Sequence, residues 1–211
     1  FGGTVVDGLE VNSIENRTLG WELATEYSAG LDFLFWDGRV SLDIDYYQRL
    51  TKDMLWAVTV PISSGFNQIQ DNIGEIENKG LEFSLSSSNI VRTDFSWKTL
   101  FNISFNRNKV ISLGDVDRIF AGWKDYSLTI PGQPMGMFFG WEQIGILQDQ
   151  DDVENSATFP GQLPGTVKYR DLNDDGIIND NDKKFIGNPY PAFRGGLINS
   201  FSYKNFDASI A

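Results

Sequence analysis

The segment from Asp171 to Asp182 carries oxygen-bearing side chains at a spacing that suits a divalent cation. It fits the calcium-loop pattern D-x-[DN]-x-[DN]-G-x5-E, except that aspartate stands in place of the final glutamate. Calcium takes roughly six to eight oxygen ligands at about 2.3–2.6 Å, and Gly176 allows the turn that wraps the chain around the ion. The predicted ligands are Asp171, Asn173, Asp175, Ile177 through its backbone carbonyl, Asn179 and Asp182.

The same segment has a simpler interpretation as a solvated turn, because Asp, Asn and Gly are also common turn formers. Average composition would rarely place all these oxygen-bearing residues at this spacing by chance, and this favours calcium. The flanking segments 166–170 and 183–187 do not have the pattern of two long helices. We therefore predict a structural Ca2+ site in a β context, which would hold together a long loop that has little core of its own.

Composition excludes several other kinds of site. The 211 residues contain neither Cys nor His, which excludes disulfides, Cys/His zinc sites, cysteine nucleophiles and a catalytic histidine. Lys and Arg total 17 against 29 Asp and Glu, and this net charge of −12 disfavours nucleic acid, whose phosphates require a positive surface. Paired carboxylates could hydrolyse glycosides, but no pair stands out among so many acids. We expect no enzymatic activity.

Three aromatic residues of the second half, Trp123, Tyr126 and Trp141, have two interpretations. Their rings could stack on sugars, or they could anchor the packing of a long loop. Packing is the favoured interpretation.

Alternating apolar and polar residues predict the β-strands that support these loops. Residues 26–35 and 40–49 alternate and flank a turn at 36–39 that contains Asp37 and Gly38. Further strands are predicted at 77–86, at 95–106, at 193–201 and from Phe206 onward. One face of these strands is apolar. The other face is polar and carries Asp32, Asp43, Asp45, Tyr47, Lys98 and Asn102.

The connections between the strands are short at one end and long at the other. Turns are predicted at 36–39, 87–94 and 202–205, and long connections at 50–76 and 107–192. This asymmetry and strands of about ten residues are typical of outer-membrane barrels. The segment 136–147 is then expected to be a hairpin arm within the long connection and not a barrel strand. Aromatic residues near strand ends suit interface girdles: Trp36, Tyr46, Tyr47, Trp97 and Tyr203.

Alternation alone does not distinguish a membrane barrel from a soluble β-sandwich. In a sandwich the apolar face is a buried core, whereas in a barrel it meets lipid and the polar face lines the lumen. The mean hydropathy of −0.26 fits both, since barrel strands keep hydropathy low. No apolar run approaches the roughly 20 residues of a membrane helix. Phe1, Gly2 and Gly3 do not begin a signal peptide.

A series of short motifs, in order along nearly the whole chain, resembles the SusC/RagA-type TonB-linked (TonB-dependent) outer-membrane transporters. Although no single motif is decisive, the series is specific. The resembling segments are Asn16–Glu22, Gly30–Phe33, Arg39–Tyr47, Thr51–Leu55, Asn72–Glu82, Phe95–Asn102, Asn106–Val110, Tyr169–Gly176, Ile186–Phe193 and Gly196–Asp207.

The resemblance implies an all-β, antiparallel transmembrane barrel of 22 strands with long extracellular loops, in the outer membrane of a Gram-negative cell. Residues 1–211 would be the later-middle part of this barrel, in contact with outer-membrane lipid. Residues 107–192 would be an extracellular loop region, and its segment 171–182 matches the acidic loop of the family. The plug, the TonB-contacting part and the aromatic end of the barrel have no counterpart in this sequence.

The resemblance also implies a function. Such proteins import glycans or peptides, with energy delivered by TonB through the N-terminal part, and a SusD-like surface lipoprotein caps the barrel. A competing hypothesis from the residues alone is a soluble extracellular β-sandwich that binds carbohydrate and holds a structural calcium. A third hypothesis is a glycosidase.

Overall fold

The computed structural model describes residues 15–66, 68–122 and 125–211, and nearly all of its regular structure is antiparallel β-strand. Among these residues, no helix has the length and apolar character needed to cross a membrane. The first residues, for which no signal peptide is predicted, lie outside the described part. The strands are β1 Leu23–Phe35, β2 Val40–Thr59, β3 Gln68–Val91, β4 Phe95–Ser112, β5 Ile119–Ala121, β6 Ser127–Thr129, β7 Met137–Trp141, β8 Gln143–Ile146, β9 Val167–Tyr169, β10 Lys183–Gly187, β11 Arg194–Tyr203 and β12 Phe206–Ile210, with one short helix, α1 Gln150–Glu154.

Six strands form one sheet in the order β1-β2-β3-β4-β11-β12. These are the six strands predicted by alternation, and the prediction is confirmed. The segment 136–147 lies outside this sheet, as expected, but it is not a single hairpin arm. Its strand β7 joins β5, β6 and β10 in a second sheet, while β8 pairs with β9.

The register of the six-stranded sheet aligns apolar side chains from strand to strand. Phe33 pairs with Leu42, Leu42 with Leu85, Leu85 with Phe101, and Phe101 with Leu197. Directly opposed residues share a face, so this row and its neighbours make one continuous apolar face. Leu197 remains 51% exposed, and within the described ranges no second sheet pairs with or buries this face. The sandwich hypothesis, which requires a buried apolar face, is therefore wrong.

The opposite face of the same sheet is polar. Asp32 pairs with Asp43, Asp43 with Ser84, Ser84 with Asn102, and Asn102 with Gly196. The two faces are therefore chemically distinct across the strands, as the sequence predicts. The remaining predicted inner-face residues lie at the same parity along their strands: Asp45, Tyr47 and Lys98.

The height of the apolar face matches a membrane. On β4 the outward residues run from Phe95 to Phe105, about 33 Å along the strand at ~3.3 Å per residue. A strand tilted by about 40° would cover ~25 Å of membrane thickness, which is the usual apolar band of an outer-membrane barrel. Trp97 and Phe201 stack near the short-turn end with ring centroids 5.8 Å apart, as a girdle requires.

One predicted girdle residue is misassigned. Tyr47 belongs to the inner face, where its ring covers Gly80 on β3. A Cβ atom at Gly80 would lie only 2.5 Å from Cε1 of this ring, so the glycine makes room for the aromatic side chain. Alternation gives the physical reason, since neighbouring Tyr46 and Tyr47 must point to opposite faces.

The central strands are longer than the sequence predicts. The predicted connection at 50–76 is wrong, because β2 continues to 59 and β3 begins at 68. β4 likewise continues to Ser112, so the long connection runs from 113 to 193. Asp53 has a φ of +55° at a bulge in β2, which interrupts the alternation there. Beyond the apolar band neither face is buried in lipid, so the sequence there carries no two-residue period.

Part of the long connection packs against the inner face of the sheet, at the end of the sheet opposite the short turns. Ile76, Val110 and Leu113 are the buried members of this core, and Met135 packs against them. The Val110 N–H donates to the carbonyl of Gln133 at 2.9 Å, so the connection occupies the edge of β4 above β11. We refer to residues 113–193 as the loop domain.

The segment before β1 is attached to the same end of the sheet by Asn72. The side-chain amide of Asn72 donates to the carbonyls of Gly20 at 3.1 Å and Asp53 at 2.6 Å, and its Oδ1 accepts from the Gly20 N–H at 2.7 Å. Glu22 accepts from the Leu55 N–H at 2.8 Å. Three of the motif segments that suggested the family thus meet at one junction.

Single cysteines test the two faces, because this segment contains none of its own. We expect Ser84→Cys, on the inner face, to react in intact cells with a charged thiol reagent. Leu85→Cys, the adjacent residue on the lipid face, should react only with a membrane-soluble maleimide. Both variants are made in cysteine-free full-length protein and followed by mass shift. Equal rates with the charged reagent would contradict this orientation.

Candidate functional site

The acidic segment 171–182 is folded around its own backbone N–H groups. The Asp171 Oδ2 atom accepts from the Gly176 N–H at 2.7 Å, and the Asp175 Oδ1 atom accepts from the Ile177 N–H at 2.8 Å. Gly176 has a φ of +81°, which glycine adopts without strain. The loop therefore has the tight curvature that its sequence predicts.

Asp182 closes the base of this loop. Its carboxylate is fully buried and accepts two backbone N–H bonds, from Leu172 at 2.9 Å and from Asn179 at 2.8 Å. The hydrogen bond from Asn179, followed by that from Leu172, holds the pKa of the Asp182 carboxyl below its ordinary value. Asp182 is thus held as a carboxylate that binds the two ends of the segment together.

The fit of these residues to a metal ion is partial. The Asp171 Oδ1 atom is buried and accepts no hydrogen bond from a donor among the described residues. Across the described residues, however, no three acidic side chains converge on one point. The oxygens of Asn173 and Asp175 already accept hydrogen bonds within the loop. The predicted ligands are close in sequence and share one turn, and a carboxylate oxygen can accept an N–H while it binds a cation.

An aromatic cluster packs next to the acidic segment and supports it. The rings of Trp141, Phe159 and Tyr169 contact one another with centroids 5.1–5.8 Å apart. Trp141 donates its Nε1–H to the carbonyl of Asn179 at 2.6 Å, and Lys183 lies over the indole ring. Trp141 is therefore a packing residue, as the favoured interpretation holds.

A second support is a short parallel bridge. Thr158 donates its N–H to the Gly176 carbonyl at 2.8 Å and accepts from the Ile178 N–H at 2.9 Å. The Ile178 side chain is 3% exposed, so Ile178 anchors the acidic segment in the loop domain. Sequence reasoning did not identify Thr158, because nothing near it carries a recognisable motif.

Ion pairs connect the strands beside the loop. Glu142 accepts from Lys184 and from Arg170, each at 2.6 Å, and these bonds lower the pKa of the Glu142 carboxyl. Lys168 lies 2.6 Å from Asp152 and likewise lowers the pKa of that carboxyl. All three ion pairs are partly exposed, so they contribute to local order more than to stability.

The inner face of the sheet is the second candidate site. A cavity of about 320 Å3 lies where the end of the loop domain approaches the inner face. Tyr47, Glu82 and Asn106 line it from the sheet, and Tyr190 and Arg194 line it from the returning chain. Sequence reasoning missed Tyr190 and Arg194, since contact with β2 and β3 depends on how the chain returns. The cavity provides both charges and several hydrogen-bonding groups.

The other predicted aromatic residues differ in position. Tyr126 is 53% exposed and its ring lies against Gly122. Trp123 lies outside the described residues. Of the three, only Trp141 contributes to a defined cluster in the described structure.

Comparison with known proteins identifies the family. The family model for the TonB-dependent receptor-like β-barrel matches residues 2–173. TonB-dependent receptor P3 of Formosa agariphila is 37% identical over 99% of this chain, and TonB-dependent receptor SusC of Bacteroides thetaiotaomicron is 32% identical over 93%. The structure of the RagAB peptide transporter covers 96% of the chain with a TM-score of 0.77 at 23% identity, which supports the fold.

The chain spans about a fifth of the length of these relatives, 22% of P3 and 19% of SusC, and 22% of the RagAB chain. Its six main strands accordingly do not close a barrel. The resemblance to SusC/RagA-type proteins is confirmed, and proteins of this kind are receptors or transporters of the outer membrane and not enzymes. The chain belongs to the TonB-dependent receptor-like β-barrel family and forms part of the wall of an outer-membrane barrel.

Proposed function

We propose that the protein containing this chain imports an oligomeric nutrient, a glycan or a peptide, across the outer membrane, with energy supplied by TonB through its N-terminal part. The observation that carries this proposal is the sorting of the sheet into an apolar outer face and a polar inner face. A wall of this kind separates lipid from a polar passage. Its role is transport, with no covalent step on the substrate.

The inner face suits a polar oligomer. Glu82 and Arg194 bring opposite charges to the cavity, and Tyr47 and Asn106 add hydrogen-bonding groups. Sugars and peptides both offer many donors and acceptors along an extended chain, so the same wall serves either class. The structural neighbour RagAB is a peptide transporter, and this likeness favours peptides as one substrate class to test.

Blocking the passage tests import directly. We expect Asn102→Cys, labelled in full-length cysteine-free protein with a bulky hydrophilic maleimide, to reduce substrate uptake, because the adduct obstructs the polar inner face. Labelled oligosaccharides and labelled peptides are supplied separately to cells with and without the protein. The compounds that are taken up only by cells with the protein identify the substrate class.

Phe101→Cys, labelled with a membrane-soluble maleimide, is the matched control, because residue 101 is adjacent on the same strand but faces lipid. Its uptake should remain near that of the unlabelled protein. Normal uptake by the labelled Asn102→Cys variant, with labelling verified by mass, would contradict passage along this face.

We further propose that the loop domain faces the cell exterior and contacts a SusD-like surface lipoprotein. It emerges from the end of the sheet opposite the short turns, and in outer-membrane barrels the longer connections are extracellular. It lies beyond the apolar band, so lipid does not cover its apolar side chains. Exposed apolar residues above a membrane suit contact with another protein. They include Ile144, Ile146, Leu163, Leu172, Ile177 and Ile186.

Photocrosslinking tests this contact. A benzophenone amino acid at Leu163, which is 64% exposed, should produce an adduct with a surface lipoprotein in intact cells. The same amino acid at Trp36, in the short turn at the opposite end, is the matched control and should give none. Adduct formation at Trp36 alone would reverse the proposed orientation. No adduct from Leu163 or from a second site at Ile186 would contradict the partner.

We propose that the segment 171–182 binds a structural Ca2+ ion. The buried, unpartnered Asp171 Oδ1 atom supports this, as does the fixed curvature around Gly176. The residues that would hold the ion are Asp171, Asn173, Asp175, the Ile177 carbonyl, Asn179 and Asp182. The ion would supply charge neutralisation and would fasten the segment to the aromatic cluster beneath it.

Limited proteolysis of the full-length protein tests calcium binding. At a calcium concentration about 100-fold above the dissociation constant, cleavage within 165–185 should slow about 100-fold relative to EDTA, because the ion stabilises the closed loop. Asp171→Ala with Asp175→Ala should abolish the difference. Asp151→Ala, an exposed aspartate on α1, is the control and should retain it. Equal cleavage of the parent protein with calcium and with EDTA would refute the site.

A further inference from the structure

Positively charged residues lie on the outer face directly beyond the apolar band. Lys79 and Arg107 pair across β3 and β4, one row above the pair formed by Leu81 and Phe105. Lys109 lies in the next row. All three have the same parity as the lipid-facing residues, so they project from the outside of the wall and not into the passage. We call Lys79, Arg107 and Lys109 the outer basic patch.

The patch is ordered by one carboxylate. Glu77 lies directly opposite Lys109, accepts from Gln48 at 2.6 Å and lies 3.4 Å from Lys79. Its side chain is 17% exposed, whereas that of Lys79 is 50% exposed. Neither Arg107 nor Lys109 forms an ion pair with any described residue. Within these two rows three cations thus accompany one carboxylate, and the next carboxylate along β3, Glu75, is already paired with Lys52 at 3.4 Å. The patch is therefore positive in a chain whose net charge is −12.

The height of the patch identifies its surroundings. Residues of one face are two positions apart, so a row rises by about 6.6 Å along the strand. Lys79 and Arg107 are therefore within one row of the hydrocarbon boundary, at the depth of lipid headgroups. Tyr27 occupies the same row, and a tyrosine at this depth is typical of the membrane interface. Cations at this depth attract anionic headgroups.

We propose that the outer basic patch binds the phosphate groups of a phosphorylated glycolipid in the outer leaflet. Lys79 and Arg107 stand side by side, so a single phosphate can bridge them, and Arg107 offers the two-point geometry that phosphate prefers. Lys109 contacts a second phosphate or a sugar-linked acid one row higher. The lipid thereby fixes the height of the wall in the membrane. This inference relies on the orientation proposed for the loop domain but not on import.

Thermal unfolding of the full-length protein in lipid nanodiscs tests the proposal. Diphosphorylated lipid A in phosphatidylcholine should raise the unfolding midpoint of the parent protein, and its dephosphorylated form should not. Each cation contributes about fivefold to binding. Lys79→Gln with Arg107→Gln and Lys109→Gln should therefore reduce lipid A affinity roughly 100-fold.

Two further variants make the test specific. Lys79→Arg with Arg107→Lys and Lys109→Arg keeps the charges and should keep most of the binding. Arg17→Gln with Arg92→Gln and Lys204→Gln removes three exposed cations elsewhere and should leave lipid binding unchanged. A neutralised patch that still binds lipid A like the parent would overturn the proposal. An equal rise in midpoint with inorganic phosphate alone would overturn the assignment to lipid.

Discussion

Backbone pairing in register is the constraint on which the rest of this structure depends. Within lipid there is no water to satisfy an unpaired N–H or C=O group, so each strand must bond to a neighbour along its whole membrane length. A shift of one residue between β2 and β3 would turn every apolar side chain of one strand toward the passage. The same register therefore pairs Leu42 with Leu85 on the apolar face and Asp43 with Ser84 on the polar face.

The same constraint explains where the chain departs from regularity. Inside the apolar band the ladder from β1 to β11 has one bulge, between Ser88 and Ile90 of β3 near the short-turn end, and is otherwise continuous. The bulge at Asp53 and the bulge near Glu75 both lie beyond the band, where water satisfies the freed groups. The tight packing of Met54 against Gly74 and the hydrogen bonds of Asn72 lie in this same outer region. Most of the irregular structure of the sheet therefore lies beyond the apolar band.

The loop domain is stabilised by different interactions from those of the sheet. Few of its apolar side chains are fully buried, among them Leu128 and Leu147, and its order depends on local hydrogen bonds, partly exposed ion pairs and one aromatic cluster. A segment of this kind opens more easily than the sheet that carries it. The acidic segment is placed where the aromatic cluster and Thr158 can hold it, and its orphaned Asp171 oxygen is the one feature there that the protein alone does not satisfy.

The sequence by itself determined the six strands, their short turns and the division into apolar and polar faces, because segments such as 40–46 alternate apolar and polar residues with a period of two. It also determined the curvature of the acidic segment, since Gly176 and its flanking aspartates act on their immediate neighbours. Only the tertiary structure decided the true lengths of β2 and β3, because outside lipid no periodic burial marks the chain. It alone brought Arg194 and Tyr190 to Glu82, joined Thr158 to Gly176, and aligned Lys79 with Arg107, since each of these contacts depends on register or on the return of a long connection.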